Sequence, residues 1–189
     1  MTELEQYIHQ CFNITPTEIS RVGTFFQETH LKKGDFYLKK GHYCTTLSFV
    51  KEGLLRIYRP EDGHEVTQWI SAKGDFVTDL ASLYFRTPGR WMIQALSDCT
   101  LYTIHWEQYQ QIGKLVGNWH ELEKNFIALC FVKLEERFYA QISMNAEERY
   151  QLFMEQRGHL LNEVPLQFIA SMLGMKPETL SRIRRKSIS

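Results

Sequence analysis

Glycine punctuates the middle of this chain at a nearly regular interval. Gly34, Gly41, Gly53, Gly63 and Gly74 fall roughly ten residues apart, each beside polar or charged neighbours suited to turns. Segments so short favour strands over helices, and they are rich in β-branched and aromatic residues. Examples are Leu47-Ser48-Phe49-Val50, Leu54-Leu55-Arg56-Ile57-Tyr58, Glu65-Val66-Thr67-Gln68-Trp69-Ile70 and Thr100-Leu101-Tyr102-Thr103-Ile104. In the second, Leu55 and Ile57 share one face and Arg56 and Tyr58 the other, which predicts a half-buried antiparallel strand. Many short strands between residues 34 and 104 predict a β-roll or jelly-roll.

The flanks read differently. Residues 2–27 suggest short helices packed beside the roll, with Thr15-Pro16-Thr17-Glu18 resembling an N-cap, a proline at the first helical position and an acidic first turn. Beyond about Trp106 the apolar period changes from two to three and four. The stretch Asn118 to Ser143 is the most helical in the chain and carries two apolar rows. One row is Trp119, Leu122, Phe126, Leu129 and Val132; the other is Ile127, Cys130 or Phe131, Leu134, Phe138 and Ile142. Two rows imply two neighbours: the roll, and the same helix of a second subunit in a short coiled coil. The row from Trp119 to Val132 is assigned to the dimer interface, although the pattern does not say which row faces the partner. The alternative is a long helix covered wholly by its own chain.

A further helix is expected from Glu147 to Arg157, stopped by Gly158. After it, residues 164–186 carry the spacing of a helix-turn-helix. Ala170 is the small residue where two helices cross, Gly174 takes positive φ at the turn, and Leu180 and Ile183 form the inner face of the second helix. Pro177 suits the first position of that helix and Glu178 the positive end of its dipole. The outer face then presents Lys176, Glu178, Thr179, Ser181, Arg182, Arg185 and Lys186 to a major groove. Arg182 would fork to guanine and Glu178 would accept from cytosine, while Thr179, Ser181 and Lys186 would touch phosphates or a thymine methyl.

Charge agrees with a local rather than a global site. Lys plus Arg equals Asp plus Glu at 22 each, so the whole molecule offers DNA or an anionic membrane no net attraction. The final fourteen residues nevertheless hold Lys176, Arg182, Arg184, Arg185 and Lys186 against Glu178 alone. Cys11, Cys44, Cys99 and Cys130 are too scattered for a zinc or iron–sulfur cluster, and read as reduced thiols of a cytoplasmic protein. Glu3 and Glu5 at the N-terminus do not suit a signal peptide, and no apolar run approaches the ~20 residues of a membrane span. No nucleophile paired with a base and no glycine-rich phosphate loop is evident, so the chain is not expected to be an enzyme.

These motifs resemble the Crp/Fnr family of transcription regulators over nearly the whole chain. The resemblance rests on Lys51-Glu52-Gly53-Leu54-Leu55-Arg56-Ile57-Tyr58, Asp62-Gly63-His64-Glu65-Val66-Thr67 and Gly74-Asp75-Phe76. It rests more specifically on Ala146-Glu147-Glu148-Arg149-Tyr150 and on Val164-Pro165 through Pro177-Glu178-Thr179-Leu180-Ser181-Arg182-Ile183-Arg184. It implies an α+β chain: a cyclic-nucleotide-binding-like β-roll sensor domain with flanking helices at 1–117, a dimerisation helix at 118–144 and a helix-turn-helix domain at 145–189. Few residues follow the recognition helix, so the full wing of many relatives is not expected. Implied partners are double-stranded DNA, a second copy of the chain, RNA polymerase and a small-molecule effector, with no membrane.

The family's cyclic-AMP cassette of Gly-Glu-Leu, then an Arg and a small residue, is altered here. Thr78 replaces the glycine, Asp79 is one methylene shorter than the ribose-binding glutamate, and Trp91 is bulky where a small hydroxyl belongs. Effector contacts are therefore assigned to Thr78, Asp79, Leu80, Ser82, Arg90 and Trp91, with Arg90 able to pair with a phosphate and the effector expected to differ from cyclic AMP. No cofactor or metal is expected. The competing readings are a cupin-like metal enzyme using His42, His64 and His105, and a dimeric interaction protein that does not bind DNA.

Overall fold

Two capping boxes start the chain in the computed structural model, which describes residues 1–188. Helix α1 (Glu3–Phe12) begins where the Thr2 hydroxyl accepts the Glu5 N–H and the Glu5 carboxylate accepts the Thr2 N–H. Helix α2 (Pro16–Gly23) begins with the Glu18 carboxylate accepting from both the N–H and the hydroxyl of Thr15, and Pro16 takes the first position as expected. Tyr7, Ile8, Phe12, Ile14, Ile19 and Val22 turn these helices onto the core.

Eight strands follow, with one short helix among them: β1 (Gln27–Leu31), β2 (Phe36–Leu38), β3 (Thr46–Glu52), β4 (Leu55–Glu61), β5 (His64–Ser71), β6 (Phe76–Val77), α3 (Leu80–Phe85), β7 (Met92–Ala95) and β8 (Cys99–His105). They form two four-stranded sheets, in the orders β1-β8-β3-β6 and β2-β7-β4-β5. The expected roll is therefore present, but it starts earlier than the glycine spacing suggested. β1 pairs antiparallel with β8, from Gln27 opposite Thr103 to Leu31 opposite Cys99. Its polar sequence gave no local strand signal, and the pairing comes from a partner about seventy residues away. Strands β4 and β5 are joined at Asp62 and Gly63, with φ of 35° and 87°, the left-handed pair that a two-residue hairpin of native twist requires. The half-buried pattern expected of β4 does not hold, because Arg56 and Tyr58 are buried along with Leu55.

The chain continues as α4 (Trp106–Tyr109), a 3-10 turn at Ile112–Lys114, α5 (Trp119–Ser143), α6 (Ala146–Arg157), a second 3-10 turn at Gly158–Asn162, α7 (Leu166–Met172) and α8 (Pro177–Ile188). Gly158 does not end α6 by turning left-handed. Its φ is −55°, and the backbone tightens into the 3-10 turn instead. No helix among the described residues is long and apolar enough to cross a membrane.

The row of α5 assigned to the dimer interface turns partly inward. Trp119 and Phe126 are buried in the chain's own core, where the Phe12 ring lies 4.8 Å and 4.6 Å from them, and Leu122 packs beside them. These three cannot meet a partner without unpacking the core. Leu129 and Val132 are exposed on the flank of the helix. The second row stands in solvent: Ile127, Phe131, Leu134, Phe138 and Ile142 are 39% to 67% exposed.

By contacts the chain forms two compact units. One comprises 1–57 and 70–130; the other comprises 58–69 and the chain from 131 onward. The division departs from the expected boundaries at 117 and 144. The first half of α5 is held in the roll's core by Trp119 and Phe126, and the tip of the β4–β5 hairpin packs with the C-terminal helices. In the second unit Trp69 is flanked by the guanidinium groups of Arg137, 4.2 Å from its ring centroid, and Arg157, 4.6 Å away.

Candidate nucleic-acid interface

The C-terminal helices build one small core from Tyr150, Phe153, Leu160, Val164, Ile169, Ala170, Leu173, Leu180 and Ile183. Ala170 is fully buried, consistent with a methyl group being all that fits between α7 and the rest of this core. The turn after α7 is closed by the Met175 N–H donating to the Ala170 carbonyl at 3.0 Å. Gly174 there has a φ of +65°, which a β-carbon would strain. Lys176 then accepts the Leu180 N–H, and α8 starts at Pro177.

Because Leu180 and Ile183 are buried, the helical period turns Glu178, Arg182 and Arg185 to the opposite side, and all three are exposed. Lys176 is exposed at the start of the helix, and Thr179 and Ser181 are half-buried on its flanks. A groove beside this face is lined by Asn145, Ala146 and Glu147 on one wall and by Thr179, Arg182 and Lys186 on the other. One sequence-assigned contact is modified. Lys186 Nζ donates to Glu147 Oε1 at 2.9 Å, so part of its charge is already offset by a carboxylate.

Three residues that sequence reasoning left without a role hold the turn. The Arg149 guanidinium donates to the carbonyls of Leu173 at 2.8 Å, Met144 at 2.6 Å and Gly174 at 3.5 Å. Gln141 Nε2 donates to the Met172 carbonyl at 3.2 Å. The Ser171 hydroxyl accepts the Thr67 N–H at 2.9 Å, which fastens the hairpin tip to α7. Arg149 and Ser171 lay in quoted motifs; Gln141 had no sequence signal beyond polarity.

The residues assigned to an effector lie together in the roll, but the polar side chains of Thr78, Asp79 and Ser82 are engaged within the protein. Asp79 is 3% exposed; its Oδ1 accepts the Ser82 N–H at 3.1 Å and its Oδ2 the Arg90 N–H at 3.0 Å. The Ser82 hydroxyl donates to the Thr87 carbonyl at 2.6 Å and accepts the Cys44 N–H at 2.8 Å. Thr78 Oγ1 donates to the Thr46 carbonyl at 2.8 Å. Leu80 and Trp91 are half-buried, and the Arg90 side chain is exposed. A cyclic nucleotide needs a carboxylate for its ribose, and the Asp79 carboxylate is already engaged by the N–H groups of its own loop.

Above this loop, the Tyr84 hydroxyl on α3 donates to Glu123 Oε1 on α5 at 2.6 Å and lies 3.1 Å from the Tyr109 hydroxyl. Burial holds both phenols above the ordinary tyrosine range. His42, His64 and His105 are all exposed, and among the described residues no three His, Cys, Asp or Glu side chains gather as metal ligands would. Cys44 and Cys99 are buried free thiols, while Cys11 and Cys130 are half-buried.

Residues 28–114 match the cyclic nucleotide-binding domain family. No curated protein matches the sequence. Among solved structures, FixK2 from Bradyrhizobium japonicum aligns with a TM-score of 0.70 at 17% identity, over 85% of this chain and 83% of that one. The Thermus thermophilus catabolite activator protein aligns at 0.60 and 20% identity, over 95% and 85%. The regulatory domain of Toxoplasma gondii PKA with cAMP aligns at 0.53 and 23% identity over 58% of this chain, which spans 43% of that one. The chain thus has the Crp/Fnr-like fold, a β-roll followed by a helical C-terminal part.

Proposed function

We propose that this chain is a sequence-specific DNA-binding transcription regulator of the Crp/Fnr type that acts as a homodimer in the cytoplasm, with an effector other than cyclic AMP. The observation that carries the reading is the α8 surface. Glu178, Arg182 and Arg185 are exposed opposite the buried Leu180 and Ile183, on a helix anchored by a tight turn. The Thermus relative is named a catabolite activator protein, and the fold likeness extends that kind of role to this chain as part of the proposal.

The dimer is supported by the solvent-facing row of α5. Five large apolar side chains on one helical stripe are 39% to 67% exposed among the described residues, and a second copy of the helix would bury them knobs-into-holes. Two recognition helices related by a two-fold axis read two half-sites, which makes the operator palindromic.

Selection of bound duplexes from a random pool tests this directly. The expected product is a near-palindrome with half-site centres ~34 Å apart, bound with an affinity that falls steeply as salt rises. A pool that returns no enriched sequence at moderate salt overturns the function.

A further inference from the structure

The junction of α5, α6 and α7 is tied by two side chains rather than by apolar packing alone. The link from α5 to α6 is only Met144 and Asn145, short enough to act as a pivot. Asn145 caps α6 by accepting the Glu147 and Glu148 N–H groups, which fixes the start of that helix but not its angle to α5. That angle is set by Arg149, one turn into α6. Its guanidinium reaches back to the carbonyl of Met144 at the end of α5 and across to those of Leu173 and Gly174 at the end of α7. These carbonyls lie at helix ends, where no intrahelical donor is available. A planar fork with several donors can serve both helix ends at once; an ammonium offers a single point of charge.

Gln141 makes the second tie. It lies on α5 between Phe138 and Ile142, the last two members of the exposed apolar row, and its Nε2 donates to the Met172 carbonyl of α7. Its Oε1 stands only 2.6 Å from where a β-carbon on Gly174 would be, so the turn and this side chain are in close register.

We infer that Gln141 and Arg149 are positioning residues for DNA recognition: they fix the angle at which α8 is presented relative to the apolar row of α5, and through it the spacing of the half-sites. The inference rests on the proposed function. Dimer contact at Phe138 and Ile142 and the turn that launches α8 are separated by one side chain, so the dimer geometry passes directly to the reading helix.

The test uses the full chain with Gln141→Ala, Gln141→Glu and Arg149→Lys. Gln141→Glu keeps the shape but has no donor for the Met172 carbonyl. The variants are expected to remain folded dimers with unchanged binding to random duplex. Their affinity for the operator selected by the parent falls about tenfold, and operators one base pair longer or shorter are bound nearly as well as the original. Gln141 variants that keep the parent's operator affinity and spacing preference overturn the inference while leaving the function intact. Equal loss of specific and non-specific binding together with loss of the dimer also overturns it, since the residues then merely support the fold. A parent chain that selects no sequence removes the function, and the inference with it.

Discussion

The backbone N–H of Arg90 donates to Oδ2 of Asp79 at 3.0 Å, closing the loop that leads out of α3. The carboxylate that a nucleotide-binding roll would turn toward a ribose serves here as an internal clasp. Asp79→Ala leaves the buried N–H of Ser82 without its acceptor and releases the Arg90 N–H, and is expected to cost about 2 kcal/mol, lowering the melting temperature by roughly 4–8 °C. Cyclic AMP added to the parent is expected to leave that temperature unchanged. A melting curve that rises with cyclic AMP in the parent and not in Asp79→Ala would show the clasp opening to a ligand.

In the proposed dimer, the two rows of α5 separate folding from association. Phe138→Glu places a charge in the exposed row and is expected to weaken the dimer by ~2 kcal/mol or more, roughly thirtyfold, without unfolding the monomer. Phe126→Ala empties part of the core around Phe12 and costs about 3–5 kcal/mol of fold stability. Sedimentation equilibrium and denaturant unfolding on both variants read the two effects independently, and a dimer that survives Phe138→Glu contradicts the assignment of the row.

Arg182→Ala removes an exposed side chain and is expected to keep the fold. It should cost ~1–3 kcal/mol in operator affinity and relax discrimination at one base pair in each half-site. Glu147→Gln acts in the other direction. With its carboxylate partner gone, Lys186 presents its full charge to a phosphate, so affinity for all sequences rises at low salt and the salt dependence steepens. Fluorescence anisotropy against specific and random duplexes at several salt concentrations distinguishes the two.

Tyr7 supplies a pH signature. Burial and the neighbouring Glu3 carboxylate, which accepts its hydroxyl proton at 3.0 Å, push the phenol from 10.0 up to about 12. The unfolded chain therefore releases this proton first. Its contribution to stability is complete below the ordinary value and is lost as pH rises from 10.0 through about 12. Tyr7→Phe is expected to be less stable than the parent at neutral pH, with the difference shrinking across that window in denaturant titrations. A difference that stays constant with pH contradicts the shifted phenol.

Local chemistry was enough to read several elements. Thr15 and Pro16 started α2, Gly63 marked a turn, and Ala170, Gly174, Leu180 and Ile183 marked the two crossing helices. Each of these is a signal whose donor, dihedral or spacing lies within a few residues. Strand β1 escaped notice for the converse reason: Gln27 to Leu31 become a strand because β8 offers its edge.

The apolar period of α5 recorded that two sides of the helix avoid water, but hydrophobicity is non-directional and carries no label for what covers each side. Only the placement of Phe12 against Trp119 and Phe126 settled which row turns inward, leaving Phe131, Leu134 and Phe138 uncovered. Likewise Asp79 and Arg149 are charged residues in any reading of the chain. That one clasps a loop and the other ties three helices depends on backbone groups distant in sequence or held at helix ends, which come within hydrogen-bonding reach once the fold has formed.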